Sequence, residues 1–165
     1  MIEGVVLMFF ASFYIWILYA GLIVLWFVDG KIKKEQVAHA LLAGLIALGI
    51  SLIIKHFFPT IRPFVTDGRA TDVLLRPHDG SFPSEHAALV FALATTIFLH
   101  DRKVGWFYLI SAIVVGTARV LANVHYPVDI LGGAMIGTII AVIIEKKHLF
   151  ELFRYSNIKR KYRKH

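Results

Sequence analysis

Long apolar stretches separated by short polar connections run along most of the chain, and five of these stretches predict helices that cross a membrane. Each is close to the roughly 20 apolar residues that span the hydrocarbon core, although the third and the fifth are short. Backbone polar groups in lipid must be paired within their own segment, so the spans are expected to be helical. In the fifth stretch, Gly133 and Gly137 predict a close helix contact. The predicted spans are residues 5–28, 37–54, 84–99, 104–121 and 128–144.

The composition places the chain among integral membrane proteins. Of its 165 residues, 58% are hydrophobic, and they lie in longer runs than a soluble domain of this size would carry. The sequence therefore predicts an all-α helical bundle that forms a single membrane domain over residues 1–165. The first stretch is not expected to be a cleaved signal peptide, because no basic residue precedes it and it is long enough to span. The chain has no cysteine, which excludes disulfides and thiolate metal sites.

The distribution of charge predicts the orientation of the bundle. Most of the Lys and Arg residues follow the first, third and fifth spans, which places them on one side of a five-helix bundle. That side is cytoplasmic by the positive-inside rule, so the N-terminus and a loop of residues 55–83 should lie outside the inner (plasma) membrane. Residues 145–165 form a basic cytoplasmic tail, which topology alone explains and which could also lie on anionic headgroups. The net charge of +7 is then accounted for, and no nucleic-acid partner is expected.

Three patches at the outer ends of the spans carry the candidate chemistry, because charges in such places are costly and usually functional. The first patch holds Lys55 and Arg62, which are seven residues or about two helical turns apart, so both cations could point the same way. Pro59 lies between them and argues against an unbroken helix. An alternative is that both cations snorkel to the outer headgroups.

The second patch opens the third span with Pro83, Ser84, Glu85 and His86. Ser84 is a candidate N-cap, and the free N–H groups at a helix N-terminus form a ready anion site. His86 in the first turn could protonate a leaving oxygen as a general acid. The alternative is a capped membrane helix with an interfacial histidine.

The third patch holds Arg119, His125 and Asp129. His125 and Asp129 are four residues apart and share one face at the start of a helix. An aspartate that accepts a hydrogen bond from one imidazole nitrogen leaves the other nitrogen free to attack, which is the arrangement of an activated nucleophile. Arg119 lies within the fourth span and needs an anion, which could be a substrate phosphate or Asp129 itself.

The patches follow one another as Lys-x6-Arg-Pro, Pro-Ser-x-His and Arg-x5-His-x3-Asp, all predicted on one membrane face. Between residues 55 and 129 the sequence resembles the type 2 phosphatidic acid phosphatase family, also called the lipid phosphatase and vanadium haloperoxidase superfamily. The resemblance implies phosphoryl transfer without a metal or other cofactor, since cations stabilise the charge. It implies that His125 attacks phosphorus, that Asp129 orients His125 and that His86 protonates the leaving group. It also implies a set of phosphate-binding residues: Lys55, Arg62, Ser84, Glu85 with its neighbouring backbone N–H groups, and Arg119.

The chain departs from the family pattern at three points. Glu85 stands where the family usually has Gly, and an acidic residue there resembles the bacterial prenyl-diphosphate phosphatases. Ala118 stands before Arg119 where the family usually has Ser, which removes one hydrogen-bond donor. The family core commonly has six spans, whereas five are predicted here.

The expected function is removal of the terminal phosphate from a membrane lipid phosphate or diphosphate, with undecaprenyl diphosphate as the first choice. Lipid A 1-phosphate and phosphatidylglycerol phosphate are the alternative substrates. A protein that binds or transports lipid phosphates without catalysis is an alternative of another class. A metal-dependent membrane hydrolase is a further one, although His56, His78 and Asp79, which could join His86 as ligands, lack a closed ligand spacing.

Overall fold

The computed structural model describes residues 2–28, 34–69, 73 and 77–162, and the side chains within these ranges from residue 3 to residue 146. Every regular element in the described residues is helical, as the sequence predicts. Parts of the predicted outer loop and basic tail, residues 70–72, 74–76 and 163–165, lie outside the described residues. The elements are α1 (Ile2–Met8), a π-helical turn (Phe9–Phe13), α2 (Tyr14–Phe27), α3 (Lys34–Phe57), α4 (Pro63–Asp67), α5 (Glu85–His100), α6 (Arg102–Leu121) and α7 (Pro127–Tyr162).

Four of the five predicted spans are helices long and apolar enough to cross a membrane, with bounds that differ by a few residues from the predicted ones. The third predicted span is α5, which has 16 residues. At 1.5 Å per residue it is about 24 Å long, less than the roughly 30 Å of the hydrocarbon core. The four longer spans are Glu3–Phe27, Lys34–Phe57, Arg102–Leu121 and Pro127–Lys146.

The first membrane helix runs without a break through α1, the π-helical turn and α2. A π-helical turn is rare and often marks a functional site. In this turn the carbonyl oxygen of Ala11 accepts a hydrogen bond from Arg119 Nη1 on α6 at 3.0 Å. Among the described helices, α1 and the turn contact α6, whereas α2 also contacts α3 and α5. The first helix therefore diverges from α3 towards its own N-terminus.

Helix α5 lies at the centre of the bundle and packs against α3, α6 and α7. Small residues allow the close approach of α7. A Cβ atom at Gly133 would collide with the carbonyl oxygen of Ser84, and one at Gly137 would collide with that of Ala88. The close contact predicted from the two glycines is therefore confirmed, and it fixes the first turns of α5 and α7 beside each other.

The main apolar core lies between α2, α5 and α6, where Leu18, Leu22, Leu93 and Ile97 are almost wholly buried. The outer surface of the bundle is also apolar. Its large exposed side chains include Trp16, Phe27, Ile53, Trp106 and Leu131. A contiguous apolar surface of this extent is typical of a protein that faces lipid.

A buried polar cluster ties three helices together at the end of the bundle away from α4. Glu145 on α7 is 4% exposed. Its Oε1 lies 3.3 Å from His39 Nδ1 on α3, and its Oε2 lies 3.2 Å from His100 Nε2 on α5. A buried carboxylate needs such partners, so the cluster holds the ends of the three helices in register.

Candidate active site

The three sequence patches meet at one end of the bundle, around a cavity of about 370 Å³. Two of the predicted site residues, Ser84 and Asp129, lie behind the wall of this cavity. The other six form part of the wall itself: Lys55, Arg62, Glu85, His86, Arg119 and His125.

His125 and Asp129 form the buried pair that their spacing predicts. His125 Nδ1 lies 3.4 Å from Asp129 Oδ2. The same oxygen accepts hydrogen bonds from Ser81 Oγ and from the backbone N–H of Tyr126, the latter at 2.8 Å. The carbonyl oxygen of Asp129 also accepts from the backbone N–H of Ser84 at 3.0 Å, which ties the pair to the N-terminus of α5. The carboxylate is thereby fixed in place before any substrate binds.

The other ring nitrogen of His125 lies next to the guanidinium of Arg62. His125 Nε2 is 3.4 Å from Arg62 Nη1, and the ring lines the cavity. Burial lowers the pKa of His125 to about 4, against the opposing effect of its hydrogen bond with Asp129. The ring is therefore neutral at neutral pH. Because the Asp129 carboxylate can only accept, the ring proton belongs on Nδ1 and the lone pair on Nε2.

Arg62 donates hydrogen bonds to three backbone carbonyls in addition to its pairing with the Asp79 carboxylate. Its Nε donates to the carbonyl of Asp79 at 2.9 Å, its Nη1 to that of Val124 at 2.9 Å, and its Nη2 to that of Gly80 at 3.0 Å. Val124 directly precedes His125, so these bonds connect the outer loop to the turn that carries the histidine. Arg62 is 3% exposed and lines the cavity.

Lys55, at the end of α3, is buried between two carboxylates. Its Nζ lies 2.8 Å from Asp79 Oδ2 and 2.6 Å from Glu85 Oε1. Glu85, predicted as an extra carboxylate beside the phosphate site, is therefore the counter-ion of a cation in that site. The Asp79 carboxylate also accepts from Arg62 Nη2, at 2.7 Å from its Oδ1. Asp79 thus pairs with two site cations at once.

Ser84 is the N-cap of α5, as predicted. Its Oγ accepts from the backbone N–H of Ala87 at 3.4 Å, and the residue is fully buried. The hydroxyl that was expected to bind phosphate is therefore placed at the helix cap and not on the cavity wall. His86, the second residue of the helix, does line the cavity together with His125.

Arg119 lines the cavity from α6 and is anchored on the first helix through the carbonyl of Ala11. Within the described part of the chain, Asp129 pairs with His125 and not with Arg119. The structural ion pair weighed as an alternative for Arg119 is therefore not formed. Among the described residues no carboxylate pairs with the Arg119 guanidinium, which is therefore suited to bind an anion at the wall of the cavity.

Sequence reasoning missed several residues of the site. Asp79 was considered only as a metal ligand, and Ser81 was not considered, although both directly precede the second motif. Their position in the chain was the available signal. The contribution of the first helix had no signal, because its lining residues carry no charge. They are Ser12, Phe13 and Trp16.

Comparison with known proteins agrees with this geometry. A sequence model described as the PAP2 superfamily matches residues 36–151. The chain belongs to the PAP2 superfamily. The resemblance drawn from the three motifs is thereby confirmed, and the chain is a multi-pass membrane phosphatase, a hydrolase.

Relatives within the PAP2 superfamily cover most of the chain. It is 31% identical over 141 residues to the undecaprenyl-diphosphatase BcrC of Bacillus subtilis (strain 168), which is 84% of this chain and 67% of that protein. It is 32% identical over 139 residues to the bacitracin transport permease protein BcrC of Bacillus licheniformis, 84% of this chain and 68% of that protein. The crystal structure of Aquifex aeolicus LpxE is similar with a TM-score of 0.74 and 29% identity, over 88% of this chain and 86% of that one.

Proposed function

We propose that the protein removes the terminal phosphate of a membrane lipid phosphate or diphosphate through a phosphohistidine formed on His125. One observation carries this proposal. His125 presents Nε2 to a cavity lined with cations while its Nδ1 faces a buried carboxylate. A neutral imidazole held in this way is an oriented nucleophile, and Asp129 stabilises the positive charge that develops on the ring.

In the first step His125 Nε2 bonds to phosphorus and the bond from phosphorus to the lipid-side oxygen breaks. The leaving oxygen takes a proton from the His86 imidazolium, which becomes neutral. Water then attacks phosphorus, neutral His86 takes up a proton of that water, and the bond between phosphorus and His125 Nε2 breaks, which releases inorganic phosphate and restores both histidines. Lys55, Arg62 and Arg119 stabilise the charge on the phosphoryl oxygens, which is the main requirement of phosphoryl transfer. Backbone N–H groups at the start of α5, next to Glu85, are proposed as further donors to the phosphate.

A lipid substrate is supported by the apolar side of the cavity. Phe13 and Trp16 line it from the first helix and are 38% and 67% exposed on the surface of the bundle. Since the first helix diverges from α3 towards this end, an apolar chain can lie between them while its phosphate reaches His125. The outer face of the inner membrane is the proposed location, with residues 1–165 acting as a single domain.

Undecaprenyl diphosphate is the proposed substrate. The relative from Bacillus subtilis is named as an undecaprenyl-diphosphatase, and Glu85 in the second motif favours the same substrate. Non-catalytic transport is the second candidate, because the relative from Bacillus licheniformis is named as a transport permease. Binding a lipid phosphate does not require a histidine held between a carboxylate and a guanidinium, which argues for catalysis.

The test is phosphate release in EDTA by purified wild-type protein and by His125→Ala. The panel holds undecaprenyl diphosphate, lipid A and phosphatidylglycerol phosphate. We expect release by the wild type, fastest from undecaprenyl diphosphate, and a loss of at least about 1000-fold in the variant, because no nucleophile remains. His56→Ala is the matched control, since His56 is exposed one residue from Lys55 and should keep full activity. No release from any lipid by the wild type would favour transport instead.

A further inference from the structure

The Asp79 carboxylate occupies the place between two cations that the proposed function assigns to substrate phosphate. Its two oxygens bond to different cations, Oδ1 to Arg62 Nη2 at 2.7 Å and Oδ2 to Lys55 Nζ at 2.8 Å. Two oxygens of one phosphate group would bridge the same pair of donors with similar distances. Asp79 itself lines the cavity.

Neither cation needs the Asp79 side chain to stay in place. Arg62 keeps three hydrogen bonds to backbone carbonyls, and Lys55 keeps its ion pair with Glu85 at 2.6 Å. The side chains of Lys55 and Arg62 are 5% and 3% exposed, whereas that of Asp79 is 45% exposed. Of the three groups, the carboxylate is therefore the one that can turn into solvent.

The loop main chain around Asp79 is fixed, so the movement is confined to its side chain. The backbone N–H of Ser81 donates to the carbonyl of Thr60 at 3.0 Å. A Cβ atom at Gly80 would lie 3.2 Å from the nitrogen of Thr60, so these two backbone segments of the loop pack closely together. Rotation of the Asp79 side chain leaves these contacts, and those of Arg62 to the loop backbone, unchanged.

The charge of the site changes in the direction that phosphate requires. Burial alone would raise the pKa of Asp79, but hydrogen bonds from Lys55 and Arg62 outweigh burial and hold that pKa below its usual range. The carboxylate is therefore ionised. Among the described residues that line the cavity, Lys55, Arg62 and Arg119 are cations and Asp79 and Glu85 are carboxylates. When Asp79 turns away, the cavity loses one negative charge, which favours the entry of an anionic phosphate.

We propose that Asp79 is an exchangeable occupant of the phosphate site, which the substrate phosphate displaces and which expels inorganic phosphate by returning to Lys55 and Arg62. The inference rests on the proposed function. It assigns to Asp79 a role in specificity and product release: only a group that binds both cations better than a carboxylate does can enter, and the product does not remain bound.

The test compares the binding of inorganic phosphate to purified wild-type, Asp79→Asn and Glu85→Gln proteins, by calorimetry and as competitive inhibition of lipid dephosphorylation. Each substitution removes one negative charge beside Lys55, but only Asp79 bridges both cations. We expect Asp79→Asn to bind phosphate about tenfold more tightly than the wild type, and Glu85→Gln to gain less, because the Glu85 carboxylate pairs with Lys55 and does not bridge both cations. Unchanged or weaker binding by Asp79→Asn would overturn the inference, and so would equal gains in the two variants, which indicate a general effect of charge.

Two further variants control for charge and for folding. Asp67→Asn removes an exposed carboxylate of the same loop that pairs with Arg69, and we expect phosphate affinity equal to that of the wild type. Asp79→Glu keeps the charge and should keep the weak phosphate binding. A gain in Asp67→Asn as large as in Asp79→Asn, or loss of the folded protein on Asp79→Asn, would contradict an exchangeable carboxylate. Phosphate binding is measured directly, so this outcome is separate from failure of the proposed function, which is seen as no lipid dephosphorylation by the wild type.

Discussion

Some interactions of His125 lower its pKa and others raise it, and the resulting pKa determines the pH range in which the residue can act as a nucleophile. Burial lowers its pKa, the hydrogen bond with Asp129 raises it, and nearby Arg119 and Arg62 lower it again. The net result, a pKa of about 4, lies well below the ordinary value of 6.5. A nucleophilic histidine with such a pKa remains unprotonated in mildly acidic surroundings.

We therefore expect the acid limb of kcat/KM to reflect a group that titrates near pH 4, and not near 6.5. Acid also lowers the stability of the folded protein through His125. Because the folded-state pKa lies below the unfolded one, the contribution of His125 to stability is complete above pH 6.5 and is lost as the pH falls towards 4. A pH–rate profile with a soluble short-chain substrate measures the first effect. An acid limb centred near 6.5 would mean that His125 is solvated like a free imidazole.

Single residues were predictable where the chain itself sets the spacing. His125 and Asp129 are four residues apart at a helix start, so their contact follows from helix geometry. The position of Asp79 shortly before the second motif was a signal, but its contact with Lys55, 24 positions away, was not predictable because the distance between them depends on the fold. The hydroxyl of Ser84 was assigned both to a cap and to phosphate, and the structure places it at the cap.

At the scale of elements, the site depends on how closely α7 approaches α5. Gly133 lies one turn after Asp129 and packs against the carbonyl of Ser84. Because glycine has no side chain, the start of α7 can approach the start of α5, and the pair of His125 and Asp129 lies beside it. The sequence predicted this contact, since glycines four residues apart form a smooth helix face. It could not predict the π-helical turn, because an inserted residue in an apolar run does not change the hydrophobic pattern.

Substitution of Gly137 by alanine tests this packing away from the catalytic residues. The new Cβ would collide with the carbonyl oxygen of Ala88 and lie 2.8 Å from the nitrogen of Ala92, both of them backbone atoms that cannot turn aside. We expect a loss of about 1–3 kcal/mol in stability, measured as a lower unfolding temperature in detergent. Gly49→Ala is the control, because nothing lies within 4 Å of its Cβ and alanine favours a helix. Equal unfolding temperatures for the two variants would contradict close packing of α5 and α7.

At the scale of the whole molecule, the cavity and the Glu145 cluster lie at opposite ends of the bundle. The short α5 begins at the cavity, and about 24 Å of helix cannot reach both surfaces of a roughly 30 Å core. We propose that the cavity lies below the outer surface of the inner membrane, so that the phosphate of a lipid reaches it with little movement along the membrane normal.

The spans and their order were predictable from hydropathy and charge. The continuation of α7 to Tyr162 was not, since the end of an apolar run does not mark the end of a helix.

The proposed orientation can be tested because the chain has no cysteine of its own. His78→Cys places a thiol on an exposed residue beside the cavity, and Lys103→Cys places one at the opposite end. In spheroplasts, a membrane-impermeant maleimide should label position 78 at once and position 103 only after permeabilisation, as the distribution of basic residues requires. The reverse pattern would place the cavity in the cytoplasm.

The bond between Arg119 and the carbonyl of Ala11 has an evolutionary consequence. Every amino acid supplies the same carbonyl, so the anchor of this cation does not depend on which side chain stands at position 11 or beside it. Mutations can accumulate along the first helix without disturbing Arg119, as long as the π-helical turn is kept. The same helix supplies Phe13 and Trp16 to the apolar side of the cavity. Substitutions at these two positions would therefore change the apolar side of the cavity without removing the backbone hydrogen bond of Arg119.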